Sequence, residues 1–172
     1  LGRGLSTQFP GLTQEIVLPT ALSQFYSGIG RFLERNIWMS HEGTRTALHF
    51  DAQENFNVQV EGEKCFWLYP TYDKGMYPMK INSQASYVSP VDPRNLDRGK
   101  YPDFSTSAGY EVITSPGDML YIPYGWWHQV DTTGEQNLNV NFWWVPRLKL
   151  IRYWPQTLRG AFVLAHRAGK HP

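Results

Sequence analysis

Asn55–Glu61 (NFNVQVE) and Lys64–Tyr69 (KCFWLY) are two short runs rich in β-branched and aromatic residues on either side of Glu61-Gly62. Runs of this length, bounded by turn residues, read as strand, turn, strand. The same signature recurs at Asn36–His41, Ala47–Asp51, Tyr110–Thr114, Met119–Pro123, His128–Asp131 and Asn137–Val145, which gives eight strand segments. Glu42-Gly43, Ser115-Pro116-Gly117-Asp118 and Thr133-Gly134 supply further turns. Hairpins closing into a barrel follow, so the chain is expected to be mainly β.

The flanks read differently. Gln14 to Phe32 looks helical in part, broken by Pro19 and by Gly28-Ile29-Gly30, and residues 1–35 are read as a lead-in. The catalytic barrel is placed at 36–146. Within it, 70–109 holds Pro78, Pro90, Pro93 and Pro102 and few strand runs, and so long a loop reads as a lid. In 147–172, Pro155 is suited to start a helix and Leu158, Ala161, Phe162 and Ala165 fall at helical spacing. This C-terminal helix either packs on the barrel or pairs with a second copy as a homodimer.

At 172 residues one domain suffices. Aromatic residues make up 15% with seven Trp, and 12 Pro and 15 Gly fit many short strands and turns rather than disorder. Cys65 is the single cysteine, which excludes an internal disulfide framework and any cysteine-rich zinc module. A cytoplasmic or nuclear location is expected. No apolar run approaches the roughly 20 residues of a membrane span, and no basic-then-apolar leader opens the chain. Leu1 is not an initiator methionine, which leaves room for residues upstream. Net charge is +1, but 136–172 carries no acid. This basic tail suits solubility or pairing with the acidic body, with RNA binding as an alternative.

Side chains two apart on a strand share a face, so His49 and Asp51 aim an imidazole and a carboxylate at one point. Tyr124-Gly125-Trp126-Trp127-His128 adds a second imidazole after a bend that Pro123 and Gly125 favour. Two His and one carboxylate leave part of an octahedron open, as non-haem Fe(II) needs to take a chelating co-substrate and O₂. A structural zinc would close its sphere, usually with Cys. The competing reading makes His128 a core histidine with a satisfied hydrogen bond. His41, His166 and His171 have no comparable partner pattern.

Lys64 shares a strand face with Phe66 and Leu68. If that face is inward, a costly buried ammonium needs an anion, such as the carboxylate of a bound small molecule. If not, Lys64 is solvated at a strand end. In Asn137-Leu138-Asn139-Val140-Asn141-Phe142-Trp143 the three Asn alternate, which reads as a wet outer face by default or as a polar cavity.

Several spaced stretches resemble the JmjC-type oxygenases, and among them the asparaginyl hydroxylase that acts on hypoxia-inducible factor. They are Gly43–Asp51, Gln53–Phe56, Val60–Lys64, Gly109–Val112, Ser115–Pro123, Trp126–His128 and Val140–Trp143. The resemblance covers about 36–146 and implies a double-stranded β-helix, the cupin jelly-roll barrel. It implies iron at His49, Asp51 and His128, and 2-oxoglutarate held by Thr46, Asn55, Lys64 and Asn141, with Lys64 on the distal carboxylate. Strand parity opposes Thr46 to His49, so its inward placement is taken from the resemblance. The implied reaction consumes O₂ and 2-oxoglutarate, yields succinate and CO₂, and hydroxylates a C–H bond. The family's upstream tyrosine is not evident here, and Tyr87–Asp92 departs from the asparaginyl hydroxylase where that enzyme meets its protein. Asp51, where JmjC histone demethylases commonly have Glu, turns the expectation from lysine demethylation to hydroxylation of a protein or peptide side chain. A tRNA-base hydroxylase of the same chemistry, and a non-catalytic cupin-like scaffold, are the alternatives.

Overall fold

The computed structural model describes residues 9–20, 22–24, 30–71, 74–79, 87–106 and 109–146. The chain is mainly β and antiparallel. After a one-turn helix α1 (Leu12–Glu15) come β1 (Gly30–Ser40), β2 (His49–Phe50), β3 (Glu54–Tyr69), β4 (Tyr110–Thr114), β5 (Met119–Ile122) and β6 (Trp127–Pro146). Strand β1 starts upstream of Asn36, where the strand signals crowd. Pairing with the end of β6, from Gly30 opposite Pro146 onward, makes Gly30–Phe32 strand rather than helix. The expected C-terminal helix, the homodimer through it and the basic-tail RNA contact fall on 147–172, outside the described residues.

The eight segments expected from the sequence all take part in pairing, but two expected turns do not interrupt their strands. Strands β3 and β6 pair along almost their whole length, with register irregularities around Glu61 and Glu63. Gly62 (φ 70°) and Gly134 (φ 86°) take the left-handed backbone that such bends require. The bends divide the sheet. One half pairs β1, the end of β6, the start of β3, and β5; the other pairs β2, the start of β6, the end of β3, and β4.

The inner faces of the halves meet. Leu120 and Ile122, on the same face of the first half as Asn55 and Asn57, pack against Phe66, Leu68, Val112 and Val130 of the second. Both outer faces are also covered. On the first half, Phe56, Val140, Phe142 and Trp144 receive Ile16, Leu18 and Leu22 from the lead-in. On the second, Phe50, Tyr69 and Trp127 pack with Met76, Val91, Tyr101 and Phe104 from the long segment. The described part of 70–109 packs on the outer face of this half-sheet. Its buried aromatic residues are held by apolar burial against the sheet. Two backbone bonds, Ser89 N to Leu48 O at 2.8 Å and Phe50 N to Tyr87 O at 3.0 Å, stitch it to β2. Arg45 and Arg94 add ion pairs to the buried Asp131 of β6, with Arg45 Nε 3.0 Å from the carboxylate.

With both faces covered, the alternation on β6 takes a meaning its spacing alone did not decide. Asn137, Asn139 and Asn141 are all buried and face inward, so the default of a wet outer face is overturned. The apolar residues between them are the ones facing out, beneath the lead-in.

Candidate metal and co-substrate site

His49 on β2 lies directly opposite His128 on β6, and Asp51 follows β2 on the same side. One ligand atom from each of the three falls within 4.8 Å of the others. The imidazole centroids are 4.2 Å apart, and His128 Nε2 is 3.8 Å from Asp51 Oδ2. Cis ligands of an ion at about 2.1 Å stand about 3 Å apart, so a closing of about an ångström brings the pair into a coordination sphere. Among the described residues this is the one cluster of metal-ligating groups with that spacing.

Backbone carbonyls orient both imidazoles. His49 Nδ1 lies 2.8 Å from the Ala47 carbonyl and His128 Nδ1 lies 3.0 Å from that of Trp126. A carbonyl only accepts, so each Nδ1 carries a proton and Nε2 is the ring atom open to a metal. Burial, and after it the adjacent His49, pushes His128 down to about 4 against the opposing pull of Asp51, so the ring is neutral. The bend expected at Pro123 and Gly125 forms: Trp126 N bonds Pro123 O, Gly125 has φ 73°, and Gly125 N bonds the Asp51 carbonyl at 3.0 Å. That last bond ties the strand bearing His128 to the loop bearing Asp51.

Lys64, Phe66 and Leu68 lie opposite Thr132, Val130 and His128, so Lys64 is on the inner face with the metal cluster. Four residue positions separate Lys64 from Leu68, about 13 Å at the usual strand rise. An extended lysine side chain and a five-carbon diacid together span that distance. Lys64 is 7% exposed. Its ammonium donates to Asn139 Oδ1, and no carboxylate among the described residues is within ion-pair distance of it. Burial therefore lowers Lys64 to about 8. This answers the choice left open by spacing: Lys64 is an inward cation.

Asn55 and Asn141 are buried on the same inner face, across the β3–β6 ladder from Trp143 and Asn57. Thr46 is exposed, and its hydroxyl accepts from Val130 N at 2.9 Å, which leaves its proton to donate. Three residues lie between Arg45 and His49, but only two between their partners Asp131 and His128. The extra residue acts as a bulge, so simple alternation does not hold between Arg45 and His49.

Asn36, Asn57, Gln59 and Trp143 were not singled out in the sequence, whereas Asn55 and Asn139 were. Asn36 Nδ2, Asn55 Oδ1 and Trp143 Nε1 are buried without a partner among the described residues, polar atoms that a ligand would satisfy. Asn57, Gln59 and Asn139 complete the amide lining. Amides alternating at 55, 57 and 59 as well as at 137, 139 and 141 were the available signal. Tyr87, from the cover, sets its ring 6.4 Å from His49. These features suit an anion: a buried cation, amide donors, and three metal-ligating groups on the same inner face.

A family model described as a cupin-like domain matches residues 2–149. The chain is similar to lysine-specific demethylase 8 of Xenopus tropicalis, 34% identical over 81% of this chain and 31% of that protein. It is also similar to lysine-specific demethylase 8 of Danio rerio, 37% identical over 81% of this chain and 34% of that protein. Lysine-specific demethylase JMJ31 of Arabidopsis thaliana is 36% identical over 77% of this chain and 24% of its own length. The chain thus spans about a third or less of these relatives.

Proposed function

The chain belongs to the cupin-like domain family, and on that premise we propose that it is the catalytic domain of an Fe(II)- and 2-oxoglutarate-dependent oxygenase that hydroxylates a protein side chain. One observation carries this reading. A buried ammonium with no carboxylate partner among the described residues lies on the inner face that also bears His49, Asp51 and His128.

His49, Asp51 and His128 would hold the iron, and Lys64 the distal carboxylate of 2-oxoglutarate. Asn55, Asn141 and Thr46 offer hydrogen bonds to the same molecule. Bound iron with 2-oxoglutarate and O₂ supplies the oxidation of a C–H bond, with succinate and CO₂ as co-products. The protein binds, orients and shields: the carbonyls of Ala47 and Trp126 fix the imidazoles, and Phe66, Leu68, Ile122 and Val130 line an apolar interior that keeps water out. The relatives' name adds an outcome of the same chemistry. Hydroxylation of an N-methyl carbon ends in loss of formaldehyde, hydroxylation of an ordinary side-chain carbon in a stable alcohol.

Anaerobic titration with Fe(II) and then 2-oxoglutarate is expected to develop the visible charge-transfer band of the chelate, which Asp51→Ala abolishes. Aerobic incubation with peptide libraries is then read by mass: gain of one oxygen atom supports side-chain hydroxylation, and loss of a methylene with formaldehyde supports demethylation. Absence of both metal and 2-oxoglutarate binding would leave the cupin-like scaffold as the better reading.

A further inference from the structure

Lys64 does not stand alone on the inner face of the sheet. Its ammonium donates to Asn139 Oδ1, and Asn139 Nδ2 donates to Asn57 Oδ1 at 2.9 Å and to Asn141 Oδ1 at 3.0 Å. Asn57 Nδ2 closes the ring by donating to Asn141 Oδ1 at 2.9 Å. All three amides are buried, Asn139 at 1% exposure.

This ring fixes the direction of every amide. Turning Asn139 over would press its NH₂ against the ammonium and its oxygen against two carbonyl oxygens, so its oxygen must face Lys64. Asn141 Oδ1 accepts twice, so the NH₂ of Asn141 is turned away from the ring. No protein acceptor for it is found among the described residues.

Resting on the oxygenase reading, we infer that Asn139 and Asn57 are positioning residues that make the site selective for a dicarboxylic 2-oxo acid: Asn139 aims the Lys64 ammonium, and the ring holds the Asn141 NH₂ toward the ligand. An amide at 139 matters because it accepts from the ammonium without neutralising it. A carboxylate there would satisfy the cation internally and leave nothing for the distal carboxylate of the co-substrate. A carboxylate at 57 would place oxygen against Asn141 Oδ1, and Asn141 would turn over to present its own oxygen to the ligand.

The test compares 2-oxoglutarate with 2-oxopentanoate, which has the same chain length without the distal carboxylate, on the whole protein loaded with Mn(II). Wild type is expected to prefer the diacid strongly. Asn139→Asp is expected to bind 2-oxoglutarate about 10- to 100-fold more weakly, as for loss of a hydrogen bond to a charged group, with Mn(II) affinity and 2-oxopentanoate affinity retained. In turnover this appears as a raised KM for 2-oxoglutarate with kcat little changed. Asn57→Asp is read in the same way and serves where Asn139→Asp does not fold. A preference for the diacid unchanged from wild type in either folded variant overturns the inference. Wild type that binds Mn(II) but neither 2-oxo acid instead removes the oxygenase reading on which it rests.

Discussion

Replacing Lys64 by Met should make the ligand-free protein more stable while destroying its affinity for a dicarboxylate. At neutral pH the buried ammonium is charged although burial lowers it from 10.5 to about 8. That displacement corresponds to about 3 kcal/mol of cost to the folded state. Met fills a similar volume without charge, but leaves Asn139 Oδ1 unpaired at about 1–2 kcal/mol. A net gain of about 1–2 kcal/mol at pH 7 remains, a rise of roughly 2–6 °C in Tm for a domain of this size. The sign reverses with pH. Because Lys64 is lowered on folding, its cost is complete below about pH 8 and fades as pH rises toward 10.5, where both folded and unfolded lysine become neutral. The Met variant should therefore lose its advantage between about pH 9 and pH 10 and be the less stable protein at pH 10, by up to about 1 kcal/mol. Paired urea denaturation of the two proteins at pH 7 and pH 10 measures this. With Mn(II) present, 2-oxoglutarate should stabilise wild type alone, since only a state that binds ligand gains from it. A Met variant less stable than wild type at pH 7, or a difference that does not move with pH, refutes the reasoning.

Two further substitutions test the frame that carries the site. Phe104→Ala removes a buried ring packed 5.1 Å from Tyr69 and should cost about 3 kcal/mol, with faster proteolytic cleavage within 70–109; a loss below about 1 kcal/mol would show that the cover is not packed on the sheet. Gly62→Ala places a Cβ against the Gln136 carbonyl at a left-handed position and should cost at least about 2–3 kcal/mol, whereas Gly43→Ala, also left-handed but in open space, should cost only about 1 kcal/mol. Chemical denaturation of both variants checks the contrast, and equal losses would place the strain in the backbone rather than in the close approach at the bend.

The fold was legible because period-two alternation and Gly-containing turns are local signals. His49 and Asp51 were legible for the same reason, since two positions apart on a strand means one face. Thr46 was not, because one extra residue between the Arg45–Asp131 and His49–His128 pairs breaks the simple alternation there. The turns expected at Gly62 and Gly134 were read correctly as places where the backbone bends, but a bend within a continuous ladder and a hairpin turn have the same composition. The long segment 70–109 read as a lid because proline-rich sequence carries no strand period. What decides its place is burial of Met76, Val91, Tyr101 and Phe104 against residues distant in sequence.

The β class, the eight pairing segments and the shared face of His49 and Asp51 follow from residue type and short spacing alone, whereas His128 and Lys64 each kept a second reading. Only the tertiary structure decided which face of those strands is the inside. Alternation assigns two faces and does not say which is wet. The lead-in packs on the apolar face of one half-sheet and Met76, Val91, Tyr101 and Phe104 pack on that of the other, and that packing leaves Lys64 and the asparagines facing inward, with no carboxylate paired to the lysine among the described residues.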